Sequence, residues 1–127
     1  MIIRSLKFLP SIILMVTIYY LSSKPTDSVH LTGEVRYLFF KALHILVYMS
    51  LFFSYRFAGF TNKQGIILVA IYGVTDEFHQ SFTPGRTPMA TDVLYDTAGA
   101  LLGLLLLPIL TYSRNRYEKL AVSKRKK

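Results

Sequence analysis

Residues 101–110 read LLGLLLLPIL, and this run decides how the rest of the chain is read. It is apolar on every side. A helix on the surface of a water-soluble domain shows an apolar stripe and a polar face, and no polar face can be drawn here. Extended back to Ala90 and on to Ser113, the run becomes a helix long enough to cross ~30 Å of hydrocarbon at 1.5 Å per residue.

Three other stretches are almost free of formal charge: Phe8–Ser23, Ala42–Tyr55 and Gln64–Thr75. None reaches the roughly 18 uncharged residues of an unambiguous span. Each becomes long enough once ionisable residues at one end are admitted: Lys7 in the first, Lys41 in the second, Asp76 and Glu77 in the third, and Asp92 and Asp96 in the last. The pattern predicts an all-α membrane protein, with four transmembrane helices over 6–23, 37–56, 64–82 and 90–113 in a compact bundle. These form one domain over 1–113, and a basic tail follows over 114–127.

Composition agrees with this reading. The chain has 127 residues, 52% of them apolar or aromatic, with no cysteine. Such a chain is too apolar for disorder and too short for two ordinary domains. It can build neither a disulfide scaffold nor a thiolate site. Tyr19, Tyr20, Tyr37, Tyr55 and Tyr112 fall near proposed helix ends, as interfacial aromatics do. Arg4 and Lys7 before the first apolar run resemble a signal peptide, but no small-residue cleavage site follows.

The net charge of +8 permits nucleic-acid binding, but its distribution serves topology instead. With four spans, Arg4, Lys7, Arg56, Lys63 and the seven basic residues from Arg114 to Lys127 share one side, against Lys24, Arg36 and Arg86 on the other. The positive-inside rule then makes both termini cytoplasmic in a multi-pass membrane protein. The tail touches anionic lipid, and no nucleic-acid partner is expected.

This topology brings the awkward residues to one depth. Lys41 and His44 lie near the outer end of the second helix, Asp76, Glu77, His79 and Gln80 near that of the third, and Asp92 and Asp96 near that of the fourth. All fall within ~10 Å of the outer boundary, and Ser22 and Ser23 close the first helix at the same level. Lys41, His44 and Tyr48 share a stripe, as do Asp76, His79 and Gln80, and Asp92, Asp96, Gly99 and Gly103. Gly99-x-x-x-Gly103 permits close helix approach. Between the last two helices, Pro84-Gly85 suits a type II turn that aims Arg86 back at the helix ends, with Thr87 expected as the N-cap.

Taken together, Lys41-x-x-His44-x-x-x-Tyr48, Asp76-Glu77-x-His79-Gln80, Pro84-Gly85-Arg86 and Asp92-x-x-x-Asp96-x-x-Gly99 resemble the signature of the VanZ-like family, and Ser22-Ser23 after an apolar helix fits it too. The resemblance runs from Leu21 to the end of the fourth helix. It implies a small polytopic bacterial membrane protein, and its founding member is associated with low-level resistance to the glycopeptide teicoplanin. The first helix lacks the tryptophan that many members carry.

Asp76, Glu77, Asp92 and Asp96 outweigh Lys41 and Arg86, so the outer cluster is formally negative. Carboxylates in a partly dehydrated layer need a cation, a proton or protonated histidines. A divalent cation is one resolution, with Asp76, Glu77 and His79 as candidate ligands. Two functions follow. The site binds a cell-envelope lipid or an amphiphilic glycopeptide, with Lys41, Arg86, Gln80, Asp92, Asp96, Ser22 and Ser23 on the ligand and Tyr37, Phe39, Phe40 and Phe82 flanking it. Alternatively it is an enzyme acting on a lipid-linked or head-group substrate, with Asp76, Glu77, His79 and His44 as acid/base groups. A proton-coupled transporter and a purely structural set of ion pairs and caps are the remaining readings.

Overall fold

The computed structural model describes residues 6–25 and 33–125, with no side-chain placement for 113–115 and 117–125. A 3-10 turn (Leu6–Phe8) leads into α1 (Leu9–Ser22), and α2 (Gly33–Ala58), α3 (Asn62–Gln80) and α4 (Ala90–Arg125) follow. The described residues are helical throughout apart from short connections. Arg4 and the last two lysines of the tail lie outside the described residues.

Local chemistry sets the helix ends. Pro10 sits in the first turn of α1, where its missing N–H costs nothing. Glu34 in the first turn of α2 suits the positive end of the helix dipole, and α2 begins at Gly33, ahead of the expected 37. It ends at a glycine-terminated cap: Gly59 has φ 105°, and the Phe60 amide donates to Tyr55 O over 3.1 Å. Thr61 and Gln64 then form a capping box, so α3 starts at Asn62 and not at 64. Past Gln80 the Arg86 amide donates to Thr83 O over 3.2 Å, closing a turn with Pro84 and Gly85 (φ 77°) at its centre, the geometry of a type II turn.

α4 starts at Ala90, the expected first residue, but without the expected Thr87–Pro88 cap: the amide of Met89 finds its acceptor on α3. The other end of α4 runs through 113 to Arg125: the segment Tyr117–Ala121 is charged, but its Glu, Lys, Leu and Ala are good helix formers.

Packing centres on α2, which makes its most extensive contacts with α4. A Cβ on Gly99 would lie only 3.1 Å from the Met49 amide nitrogen and still closer to Ile45 O, and one on Gly103 would lie 2.8 Å from Phe52 Cδ1. Gly99-x-x-x-Gly103 is thus the seam at which α4 meets α2, its backbone at Gly99 and the Phe52 and Met49 side chains at Gly103. Tyr48, Leu51, Phe52, Val69 and Ala100 fill the core.

The exterior is apolar, and polar side chains are buried at one end of the apolar core. Lys41, Asp76, Glu77, Gln80, Asp92 and Asp96 are buried, while Val16, Leu38, Phe78, Leu94 and Leu105 are each more than 60% exposed. An apolar surface of this extent is not that of a water-soluble monomer. Of the described helices, α2 and Ala90–Tyr112 of α4 are long and apolar enough to cross a membrane. The apolar segment of α1 is shorter, and α3 carries Lys63, Asp76 and Glu77 within its length.

Candidate functional site

α2, α3 and α4 deliver their polar side chains to one end of the bundle, beside the C-terminus of α1. On the α2–α4 interface the carboxylates meet cations or a histidine. Lys41 Nζ pairs with Asp92 Oδ1. His44 Nδ1 lies 2.7 Å from Asp96 Oδ1, and its Nε2 lies 3.7 Å from Asp92 Oδ2. The His44 ring stacks parallel to that of Tyr48, with centroids 6.1 Å apart. This is the i, i+3, i+7 stripe of α2 set against the i, i+4 stripe of α4.

On α3 the carboxylates meet neutral donors. Asp76 Oδ2 accepts from Gln80 Nε2 at 2.8 Å, and the same amide reaches Ser22 Oγ at 3.5 Å. Glu77 Oε2 accepts from the Met89 amide at 2.8 Å, so α3 supplies the anion that caps the N-terminus of α4. Sequence spacing gave no sign of this bond, because its donor is a backbone amide 12 residues away.

The loop cation is also engaged. Arg86 donates from Nε to Lys24 O and from Nη2 to Leu21 O, both at 2.8 Å, and so closes the C-terminal end of α1. Burial pushes its pKa below the usual guanidinium value, while the Asp76 and Glu77 carboxylates act in the opposite direction. It remains a cation.

His79 stands apart from this cluster. Its Nε2 lies 2.9 Å from Ser23 Oγ, and its ring stacks on Tyr19 with centroids 4.1 Å apart. Among the described residues no three His, Asp or Glu side chains form a group that could hold a metal ion, and the expected trio of Asp76, Glu77 and His79 is no exception. Several oxygens in the interior have no partner: Asp76 Oδ1, Glu77 Oε1, Asp96 Oδ2 and the Tyr48 hydroxyl. Such groups are costly unless something satisfies them.

Two cavities open on the cluster. The inner one, about 110 Å³, lies between α1, α2 and α3; Ile18, Leu21, Leu43 and Val47 form its apolar wall, and Tyr48 and Asp76 stand among its polar lining. The wider one, about 300 Å³, is lined by Arg36, Tyr37, Lys41, Thr87 and Asp92 among others. Phe40, His44, Gln80 and Arg86 line both. Phe39 and Phe82 are exposed and line neither.

An apolar exterior, two helices of membrane-crossing length and a buried polar cluster at one end of a helical bundle define a small helical membrane protein. Within that class the chain is a member of the VanZ/LLP1 family, whose profile matches residues 3–111, nearly its whole length. No curated protein and no solved structure matches it.

Proposed function

We propose that this protein crosses the bacterial membrane four times with both termini in the cytoplasm, and that its outer-leaflet cluster binds an amphiphile of the cell envelope or an acylated glycopeptide. The observation that carries the binding reading is the pair of cavities. An apolar-walled crevice, with Leu21 and Leu43 exposed at its rim, adjoins a charged chamber through shared wall residues. An apolar chain fits the first and a polar head fits the second. A link to teicoplanin-type resistance is part of the same proposal, since an acylated glycopeptide has both parts.

The chain contains no tryptophan, so a single Leu43→Trp substitution gives a clean reporter at the crevice rim. A dodecyl amphiphile brominated along its chain should quench it saturably. Trp at Ile71, on the exposed face of α3, should be quenched only in proportion to the probe's mole fraction. Identical, non-saturating curves at both positions refute a binding site. For topology, Thr87→Cys should react with an impermeant maleimide on intact cells; reaction only after lysis inverts the orientation.

One observation supports a catalytic second reading. His44 is oriented by Asp96 through Nδ1 and lines both cavities, which is how a carboxylate holds a histidine that acts as a general base. Its test is turnover of a bound amphiphile that is lost in His44→Gln while binding persists.

A further inference from the structure

The wall of the wider cavity is rich in charge, and its charges are already engaged. Lys41 pairs with Asp92. Arg86 donates from Nε and Nη2 to the carbonyls of Lys24 and Leu21 and lies in the field of the Asp76 and Glu77 carboxylates. Arg36 has a partner of its own. An anionic head would have to draw one of these cations from its partner, and a cationic head would have to compete with Lys41 for Asp92. Separating a buried ion pair is strongly unfavourable.

Hydrogen-bonding capacity remains where charge does not. Asp92 meets Lys41 through Oδ1, and a carboxylate accepts at both oxygens. His44 meets Asp96 Oδ1 through Nδ1 at 2.7 Å. An ionised carboxylate only accepts, so Nδ1 carries the proton and Nε2 of the neutral ring is an acceptor. Asp92 Oδ2 and His44 Nε2 lie 3.7 Å apart, too far to bond each other directly. The Asp92 and His44 side chains line the wider cavity with 12% and 14% of their surface exposed. Two acceptors at this spacing call for two uncharged donors on neighbouring atoms. Vicinal hydroxyls are such a pair, and a hydroxyl also serves a protonated ring, because it accepts as well as donates. Tyr37 and Phe40 supply apolar wall for the carbon skeleton.

We infer that the head of the amphiphile is an uncharged sugar, with two neighbouring hydroxyls donating to Asp92 Oδ2 and His44 Nε2 in the wider cavity. This rests on the amphiphile-binding reading above and adds the chemistry of the head. The cavity of about 300 Å³ lies at the lower end of small-molecule pockets, which suits a single ring. The apolar chain has the inner crevice to itself, so chain and head do not share a chamber.

The test uses the Leu43→Trp protein in phosphatidylcholine vesicles, with dodecylphosphocholine brominated along its chain as the probe and unbrominated dodecyl competitors. Dodecyl glucoside should displace the probe at about tenfold lower mole fraction than dodecylphosphocholine, dodecyl phosphate, dodecyltrimethylammonium or dodecyl tri(ethylene glycol) ether, the worth of a hydrogen bond to a charged acceptor. The ether is uncharged but has no vicinal hydroxyls, so it separates hydrogen bonding from the lack of charge. The double variant Lys41→Met with Asp92→Leu removes one acceptor together with the cation it answers, and should cut the preference to less than about threefold. Equal potency of glucoside and ether, a preference for any charged head, or a glucoside preference that survives the double variant overturns the sugar inference and leaves the amphiphile site standing. Absence of saturable quenching by the probe itself overturns both.

Discussion

The two carboxylate pairs of this bundle occupy the same depth and solve different problems. Asp92 and Asp96 on α4 face α2, where Lys41 and His44 meet them across the interface. Asp76 and Glu77 on α3 meet an amide side chain and a backbone N–H, and each keeps one oxygen without a partner. The first pair joins helices. The second meets no cation among these contacts; Asp76 borders the inner cavity and Glu77 neither, while in the first pair Asp92 borders the wider cavity and Asp96 Oδ2 also lacks a partner. Charge count alone treats the four acids as one cluster; partner identity singles out the fastening.

Removing one member of the fastening should have the largest effect. Lys41→Met leaves buried Asp92 with only His44, 3.7 Å away, and unfolding in detergent should show a loss of about 3–5 kcal/mol. The double variant with Asp92→Leu should recover most of that loss, because replacing both members of a buried pair is often neutral. A single variant as stable as the parent would erase the distinction between the two pairs. Glu77→Ala comes next: it strips the Met89 amide of its acceptor, and the expected cost is about 1–2 kcal/mol, in the range of a lost helix cap, read by the same unfolding assay. Asp76→Asn should be the mildest. Its partner is already neutral, so stability should change by less than about 1 kcal/mol at unchanged membrane abundance. A large destabilisation there would make Asp76 a structural residue and collapse the comparison.

Helical periodicity made the depth and the stripes legible. Lys41 with His44 and Tyr48, and Asp92 with Asp96 and Gly99, follow from spacing alone, and the structure places each set on one interface. Which stripe faces which was not legible, because small residues announce a seam without naming its partner; Ile45 and Met49 do so only in three dimensions. His79 shows the limit most clearly. Its spacing from Asp76 matches that of His44 from Lys41, yet it turns away to Tyr19 and Ser23, since a stripe about 100° wide has two edges and α1 covers one of them. The contribution of Met89 was invisible for another reason: its role belongs to the backbone, and any residue but proline offers the same amide there. Thr61 and Gln64, by contrast, spell a capping box in the sequence itself, and the expected start at 64 simply passed over it.

Arg86 joins two parts of the chain that are 62 and 65 residues apart in sequence from it, by bonding Lys24 O and Leu21 O. It also forms part of the wall of both cavities. The α3–α4 turn and the C-terminus of α1 therefore behave as one mechanical part. If the turn swings outward with Arg86 still bonded, α1 travels with it and both chambers change shape together. If α1 stays, two carbonyls lose their donor. The geometry thus couples access to the narrow chamber with access to the broad one through a single side chain.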